Sequence, residues 1–327
     1  MKSTVVKNDR FSEALSKFLH KLDRSEKDGE ITYVSLKKNL EEMSNLDHTF
    51  RLNSYSFVEN QSVSLILPNT GGSTSIMALY WVYISTADEG QIVVKSGESE
   101  KFDRFVETLN DDRISVHKSR EEFAKTNSVE DSDLLVVYGS DETCRRISRK
   151  RDVLKRSVFY PSKTSIAIIN DPEKIHYEGL ARDLFSYDGL GCLSPSVIYT
   201  TSSGKLVEGL SPHVPLDYSI EKTIFDYKHN KKLDRGIVRR ELGEEPKTSQ
   251  GFGTVVVVEY SDVEDIEEDL DDYRGKISCV VVDREPKRDI LGATRYCRVG
   301  EAQTPPLRWR HDGTHSLFSL VDMIGVG

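Results

Sequence analysis

Residues 62–95 read SVSLILPNTGGSTSIMALYWVYISTADEGQIVVK. An apolar run at Val63–Leu67 enters a Pro-Asn-Thr-Gly-Gly turn, a helical stretch follows at Ser73–Ser85, and a second apolar run closes the segment at Ile92–Lys95. The alternation continues with apolar runs at Ile114–His117, Leu134–Tyr138 and Ile166–Ile169. Helical stretches lie between at Glu98–Leu109, Arg120–Lys125 and Asp141–Arg151. Short strands without a polar face, separated by helices, predict an α/β fold whose parallel sheet is covered on both sides.

Ahead of this alternation, Phe11, Leu15, Phe18 and Leu22 recur at helical spacing. A charged loop at Asp23–Glu30 and a second helix at Leu36–Met43 complete an N-terminal helical segment, residues 1–60, which reads as an adaptor. Residues 61–175 form one expected domain and 176–327 another, because 327 residues exceed the roughly 250–300 that one core usually serves. The later region predicts helices at Tyr177–Phe185, Ser219–His229 and Asp234–Leu242, and strands at Ser196–Thr200, Thr254–Tyr260 and Ile277–Asp283. An acidic helix at Asp262–Asp272 should turn Val263, Ile266 and Leu270 inward. A short amphipathic helix is expected at Ser316–Met323.

The net charge of -9 argues against a nucleic-acid binder, which needs a basic surface. One basic run stands out, CRRISRKRDVLKR at Cys144–Arg156; it suits a solvated helix face, or a contact for phosphates or for a partner enzyme. Cys144, Cys192, Cys279 and Cys297 form no CxxC pair and no cluster with histidine, so neither a metal site nor a disulfide framework is expected. The N-terminus lacks the apolar stretch of a signal peptide, and the apolar runs are too short to span a bilayer, so a cytoplasmic protein is expected.

Four segments could carry chemistry. In SYDGLGCLSPSVIYT, Ser186–Thr200, glycines at 189 and 191 bracket a turn and Cys192 stands at the mouth of a strand. Its thiolate could serve as a nucleophile for thioester chemistry, or the residue could be a small buried hydrophobe. In LPNTGGST, Leu67–Thr74, Asn69 could face a developing oxyanion and the glycine amides an anion, or the stretch is simply a turn. In IVVKSGES, Ile92–Ser99, Lys95 and Glu98 could meet a nucleotide ribose, or Glu98 merely favours a helix start. In VVYGSDETCRRI, Val136–Ile147, Gly139 and Ser140 form a turn into a helix that Ser140 or Asp141 could cap. The chain has neither GxGxxG nor a phosphate-binding GxxxxGK[ST] loop, which argues against a standard dinucleotide fingerprint and against an NTPase.

The order Asn69, Lys95, Gly139, Cys192, Glu301 resembles the aldehyde-dehydrogenase superfamily. The wording of DGLGCLSPSVIY and of GEAQTPPLRWRHDG, Gly300–Gly313, resembles more closely the LuxC-type acyl-CoA reductases. The resemblance covers roughly Ser62 to the end of the chain. It implies an aldehyde-dehydrogenase-like fold, with 61–175 as the nucleotide-cofactor domain and 176–327 as the catalytic, cysteine-bearing domain. It implies Cys192 as the acyl-accepting nucleophile, with Asn69 and the Cys192 N–H as oxyanion donors. Lys95 and Glu98 would hold the adenine ribose, Gly139 and Ser140 would form the turn at the cofactor helix, and Glu301 would meet the nicotinamide ribose.

This chain departs from the aldehyde-oxidising members at the general-base glutamate. The corresponding stretch is FYPSK, Phe159–Lys163, with Phe159 about where that glutamate falls. Without the base, a cysteine-bound acyl group should outlive hydrolysis, which favours reduction of an acyl thioester such as a fatty acyl-CoA by NADPH or NADH. Glu98 leans toward NADH and the family likeness toward NADPH. An acyl-activating partner enzyme and a homo-oligomer are implied as partners. Two other readings stay open: a semialdehyde dehydrogenase or acyl-phosphate reductase of the same superfamily, and a non-catalytic subunit that binds nucleotide or a partner. Of the remaining cysteines, Cys279 is expected in the core. Cys144 is expected to have its pKa lowered by neighbouring arginines, and Cys297 to border the site. His311 is expected to be structural.

Overall fold

The computed structural model describes residues 2–26, 28–44, 55–68, 72–97, 99–126, 128–215, 236–249, 251, 253–286, 288–313 and 316–325. The chain divides into two compact units, Met1–Ser162 with Pro306–Gly327, and Lys163–Pro305.

The first unit is built on five parallel strands: β2 (Asn60–Ile66), β3 (Thr86–Lys95), β4 (Ile114–His117), β5 (Leu134–Tyr138) and β6 (Arg156–Tyr160). Their order is β4-β3-β2-β5-β6. The chain therefore works outward from β2 in one direction and then restarts on its other side. Such a reversal opens a crevice at the carboxyl ends of the two strands that flank it, here β2 and β5. The connecting helices include α3 (Ser73–Ser85), α4 (Glu100–Leu109), α5 (Arg120–Lys125), α6 (Ser128–Asp131) and α7 (Asp141–Ser148), so every crossover passes over a face of the sheet. Gly72 starts α3 at φ 88, a conformation that favours glycine. A two-stranded antiparallel pair, β1 (Tyr55–Val58) with β13 (Asp322–Gly325), joins the two ends of this unit.

The N-terminal helices α1 (Lys2–Lys21) and α2 (Gly29–Met43) are part of the same core rather than an appended adaptor. The four predicted apolar positions, three in α1 and Leu22 just after it, are all buried. Phe11 meets Tyr80 and Tyr83 of α3 at 5.1 and 5.6 Å and Phe105 of α4 at 5.0 Å. Helix α3 is buried on almost every side as a result.

The second unit holds a six-stranded parallel sheet in the order β12-β11-β7-β8-β10-β9. The strands are β7 (Thr164–Ile169), β8 (Pro195–Thr200), β9 (Ile237–Arg240), β10 (Val255–Glu259), β11 (Ile277–Val282) and β12 (Tyr296–Arg298). Strands β8 and β11 are buried at every position, as central parallel strands should be. The helices are α8 (Tyr177–Phe185), α9 (Ser203–Leu210) and the acidic Val263–Asp269, with Ile266 and Leu270 in the core and Val263 packed against it.

Three expectations are corrected. The Ile166–Ile169 run, read as continuing the first sheet, pairs with β8 and β11 in the second. The helix expected at Asp234–Leu242 is strand β9 over Ile237–Arg240: Ile237 and Val238 are buried and bond alongside β10, where a β-branched pair packs better than on a helix. The helix expected at Ser316–Met323 is a series of turns followed by β13. There Leu317, Leu320 and Val321, although spaced at i, i+3 and i+4, are buried in the first unit's core from turns rather than from a helix. The expected helix at Ser219–His229 lies outside the described residues.

Phe11→Ala should destabilise the first unit by about 3–5 kcal/mol, the usual range for emptying a phenylalanine site in a closed core. Urea denaturation followed by tryptophan fluorescence measures it. A change below about 1 kcal/mol would mean that α1 is an adaptor after all.

Candidate active site

In the second unit, Cys192 sits in the turn between α8 and β8, half-buried, at the amino end of β8. The backbone leading to it is contorted. Tyr187, Asp188 and Gly189 are consecutive residues at φ 53, 59 and 68. Side-chain-bearing residues rarely adopt this left-handed region, and such outliers collect at functional sites. Gly189 has no alternative there: a Cβ would lie 2.9 Å from Leu184 O. Gly191 is different, since a Cβ would meet nothing closer than Ser194 Oγ at 3.7 Å.

Hydrogen bonds pin the turn from two sides. Ser165 Oγ at the start of β7 donates to Cys192 O at 2.5 Å and accepts from Cys279 N at 3.1 Å. Gln303 Nε2 donates to Ser194 Oγ and to Asp183 O, both at 2.9 Å. The two segments with the most distinctive wording, around Cys192 and around Gln303, are thus bonded directly to each other.

Asp183 holds this arrangement together, although nothing in ARDLF marked it. It lies on α8 at 0% exposure, and its carboxylate accepts Gly300 N at 2.6 Å and Ala302 N at 2.9 Å. Burial pushes its pKa up to about 7 while the two N–H groups pull it down. On the other side of the same stretch, Arg295 donates to Glu301 O at 2.7 Å and Ala302 O at 2.6 Å. Glu301 itself is exposed, and its carboxylate accepts the Arg298 N–H at 3.3 Å.

The remaining thiols are buried. Cys279 and Cys297 lie with their sulfurs 3.4 Å apart in β11 and β12. Cys144 departs from expectation: burial pushes its pKa up and Asp141 adds to the effect, because the thiol faces the sheet and not the neighbouring arginines.

In the first unit, Lys95, Gly139 and Ser140 come together around one pocket of about 630 Å³, within the usual range for small-molecule sites. It lies at the carboxyl ends of β2, β3 and β5, where Ile66, Leu67 and Pro68 form one wall and Tyr138 another. Ser140 caps α7, its Oγ accepting Thr143 N at 3.2 Å. Asn69 and Glu98 lie outside the described residues. Phe159, in β6, packs against the cluster around Leu135 and Val137. His311 is boxed in by Tyr160 and Trp309, each at 4.7 Å, and Tyr138 at 5.5 Å, in keeping with a structural role. Among the described residues no group of His, Cys, Asp and Glu could hold a metal ion, and no helix is long and apolar enough to cross a membrane.

The fold is that of the aldehyde dehydrogenases. An oxidoreductase from Marinobacter aquaeolei matches with a TM-score of 0.71 at 13% identity, covering 99% of this chain and 84% of that one. A lactaldehyde dehydrogenase matches at 0.72 and 12%, covering 98% and 85%. An aldehyde dehydrogenase from Bartonella henselae matches at 0.69 and 9%, covering 99% and 86%. No curated protein sequence matches the chain. The family model for acyl-CoA reductase (LuxC) matches residues 1–209, and the chain belongs to that family. It is an oxidoreductase of the aldehyde and acyl class.

Two outcomes follow from this geometry. Gly189→Ala should disrupt the Cys192 turn, costing at least about 1–2 kcal/mol for the left-handed backbone alone, whereas Gly191→Ala should be tolerated. Alkylation rates of Cys192 in the two variants compare them, and equal behaviour would refute the assigned strain. For Asp183, the folded value of about 7 lies above the roughly 3.9 of an unfolded aspartate, so its contribution to stability falls as pH rises from about 4 to about 7 and is level beyond. Between pH 5 and pH 8, Asp183→Asn should lose on the order of 2–3 kcal/mol of the wild-type decline. Parallel slopes for both proteins in denaturant titrations would contradict it.

Proposed function

We propose that the chain reduces an acyl thioester, a fatty acyl-CoA in particular, to the aldehyde through an acyl group carried on Cys192. The observation that carries this reading is the Cys192 turn: a half-buried thiol on a strained backbone, clamped by Ser165 and by Gln303. A turn held this tightly orients a nucleophile without covering it.

In this reading the Cys192 thiolate attacks the thioester carbonyl. The bond from carbonyl carbon to the CoA sulfur breaks, and CoA leaves as a thiolate that takes up a proton. The Cys192 N–H and Asn69 would donate to the oxyanion, an interaction whose loss typically costs about 10²–10³ in rate. The apolar packing of Phe159 supports the idea that no carboxylate at that position activates water, so the acyl group persists. NADPH or NADH would supply the hydride that converts it to the aldehyde oxidation level. Breakage of the carbon–sulfur bond then frees the aldehyde and returns the Cys192 thiolate.

We assign nucleotide binding to the first unit and the cysteine chemistry to the second. The pocket fits a nucleotide: apolar walls suit an adenine, Lys95 and the Gly139–Ser140 turn suit phosphate or ribose oxygens, and Glu98 would reach the ribose hydroxyls. Glu301 would face the nicotinamide ribose.

Intact-protein mass spectrometry after mixing with a long-chain acyl-CoA, on wild type and Cys192→Ala, tests the proposal. The expected result is an acyl adduct on wild type alone, discharged by NADPH or NADH. No adduct from any acyl-CoA would overturn the thioester reading in favour of acyl phosphates, free aldehydes or a non-catalytic subunit.

A further inference from the structure

Cys279 and Cys297 take no part in the acyl chemistry, yet their sulfurs are in contact. They lie 3.4 Å apart in neighbouring parallel strands. The register sets Val281 opposite Cys297, and residues two apart on a strand share a face. Cys279 and Cys297 are therefore diagonal neighbours on one face of the sheet. Cys279 is fully buried, and Cys297 keeps 8% of its surface open. A single buried cysteine is ordinarily an inert small hydrophobe. Two thiols in contact differ, because each can displace a leaving group from the other's sulfur.

The surroundings favour ionisation of one of them. The hydrogen bond shared with Cys297 holds Cys279 below the ordinary thiol range, and the Arg295 guanidinium acts in the same direction against the effect of burial. The same bond raises Cys297.

The pair also lies directly behind the Cys192 turn. The ladder between β7 and β11 shifts register between Ile277 and Cys279. At this irregularity the Cys279 N–H donates to a side chain, Ser165 Oγ, at 3.1 Å, and Ser165 Oγ donates onward to Cys192 O at 2.5 Å. Two hydrogen bonds thus connect the backbone of Cys279 to that of Cys192. A covalent bond across a diagonal pulls Cys279 along its strand and shifts the N–H that Ser165 meets.

We propose that Cys279 and Cys297 form a redox site that a hydroperoxide converts to a disulfide, and that this bond loosens the Cys192 turn through Ser165. One sulfur attacks the peroxide as a thiolate. A sulfur–oxygen bond forms, the oxygen–oxygen bond breaks, the departing oxygen takes the thiol's proton, and a sulfenic acid remains. The second thiol attacks that sulfur, the sulfur–oxygen bond breaks, water leaves with the second proton, and the disulfide closes. Two electrons pass from the two thiols to the peroxide, and an external thiol returns them by exchange. The inference goes beyond the acyl reaction and holds whatever substrate Cys192 takes.

The test treats full-length Cys192→Ala with hydrogen peroxide, so that the turn's own thiol is removed from the chemistry. Remaining thiols are blocked after denaturation and the peptides are mapped by mass spectrometry. The expected result is a peptide pair joined through Cys279 and Cys297, separated again by dithiothreitol, while Cys144, buried in the other unit, stays reduced. Hydrogen exchange across residues 186–195 should be about tenfold faster in the oxidised protein and return on reduction. Adding Cys297→Ser should abolish both effects, and adding Cys144→Ser should change neither. Recovery of Cys279 and Cys297 as separate thiols, under peroxide that oxidises Cys192 of wild type, overturns the redox site. A disulfide that leaves exchange across 186–195 unchanged overturns its link to the turn. Should the variant with Cys297→Ser fail to fold, the mapping and its reversal in Cys192→Ala still decide the proposal.

Discussion

The Asp183 carboxylate, fully buried on α8, grips the backbone N–H groups of Gly300 and Ala302, while Arg295 grips the carbonyls of Glu301 and Ala302 from the other side. A carboxylate and a guanidinium thereby hold one stretch of peptide backbone from opposite sides. Removing either would leave buried backbone groups, and a buried charge, without partners, which costs more than the hydrogen bonds themselves contribute. The close approach depends on glycine, because a Cβ on Gly179 would lie 3.3 Å from Gly300 Cα. With its backbone held, the loop keeps its side chains for other work. Gln303 reaches Ser194 and fixes the Cys192 turn, while Glu301 remains exposed.

The terminal segment GEAQTPPLRWRHDG serves both units. Its first part, 300–305, belongs to the second unit and steadies the cysteine turn. Its second part, from Pro306, belongs to the first unit, where His311 packs against Tyr138 and Tyr160. Tyr138 also lines the pocket of the first unit. One continuous run of chain therefore supports the turn that carries the thiol and the wall that would carry the nucleotide.

Much of this was legible from local pattern. Helices α3, α5 and α8 fall at the residues that periodicity indicated, and the first four apolar runs are strands of one sheet. In those segments propensity and burial favour the same structure. Legibility failed where tertiary pairing decides. Ile237 and Val238 become a strand because β10 offers an edge, and Ile166–Ile169 joins the second sheet because β8 and β11 lie beside it. Neither partner is visible in a short window. Cys192 stood out because glycine and proline flank it. Asp183 could not, since a lone aspartate on a helix resembles any solvated one until the N–H groups it holds are brought to it. Arg146 and Arg151 were likewise indistinguishable in the basic run. One lines the pocket and the other is a buried strut.

In the proposed reading the two sheets use opposite ends of their strands, and chemistry accounts for the difference. Phosphate oxygens favour the carboxyl ends of parallel strands, because the following helices point their N-termini and free N–H groups there. The pocket of the first unit obeys this at β2, β3 and β5. Cys192 lies instead at the amino end of β8. If Cys192 is the nucleophile proposed above, acting on an uncharged carbonyl, it would gain little from a helix N-terminus aimed at a substrate phosphate. In the proposed reading it needs a fixed backbone. The left-handed run 187–189, the Ser165 and Gln303 clamps and the grip of Asp183 on the neighbouring loop supply that fixity. In this chain the cysteine turn is defined by strain and clamping and the pocket of the first unit by topology and charge.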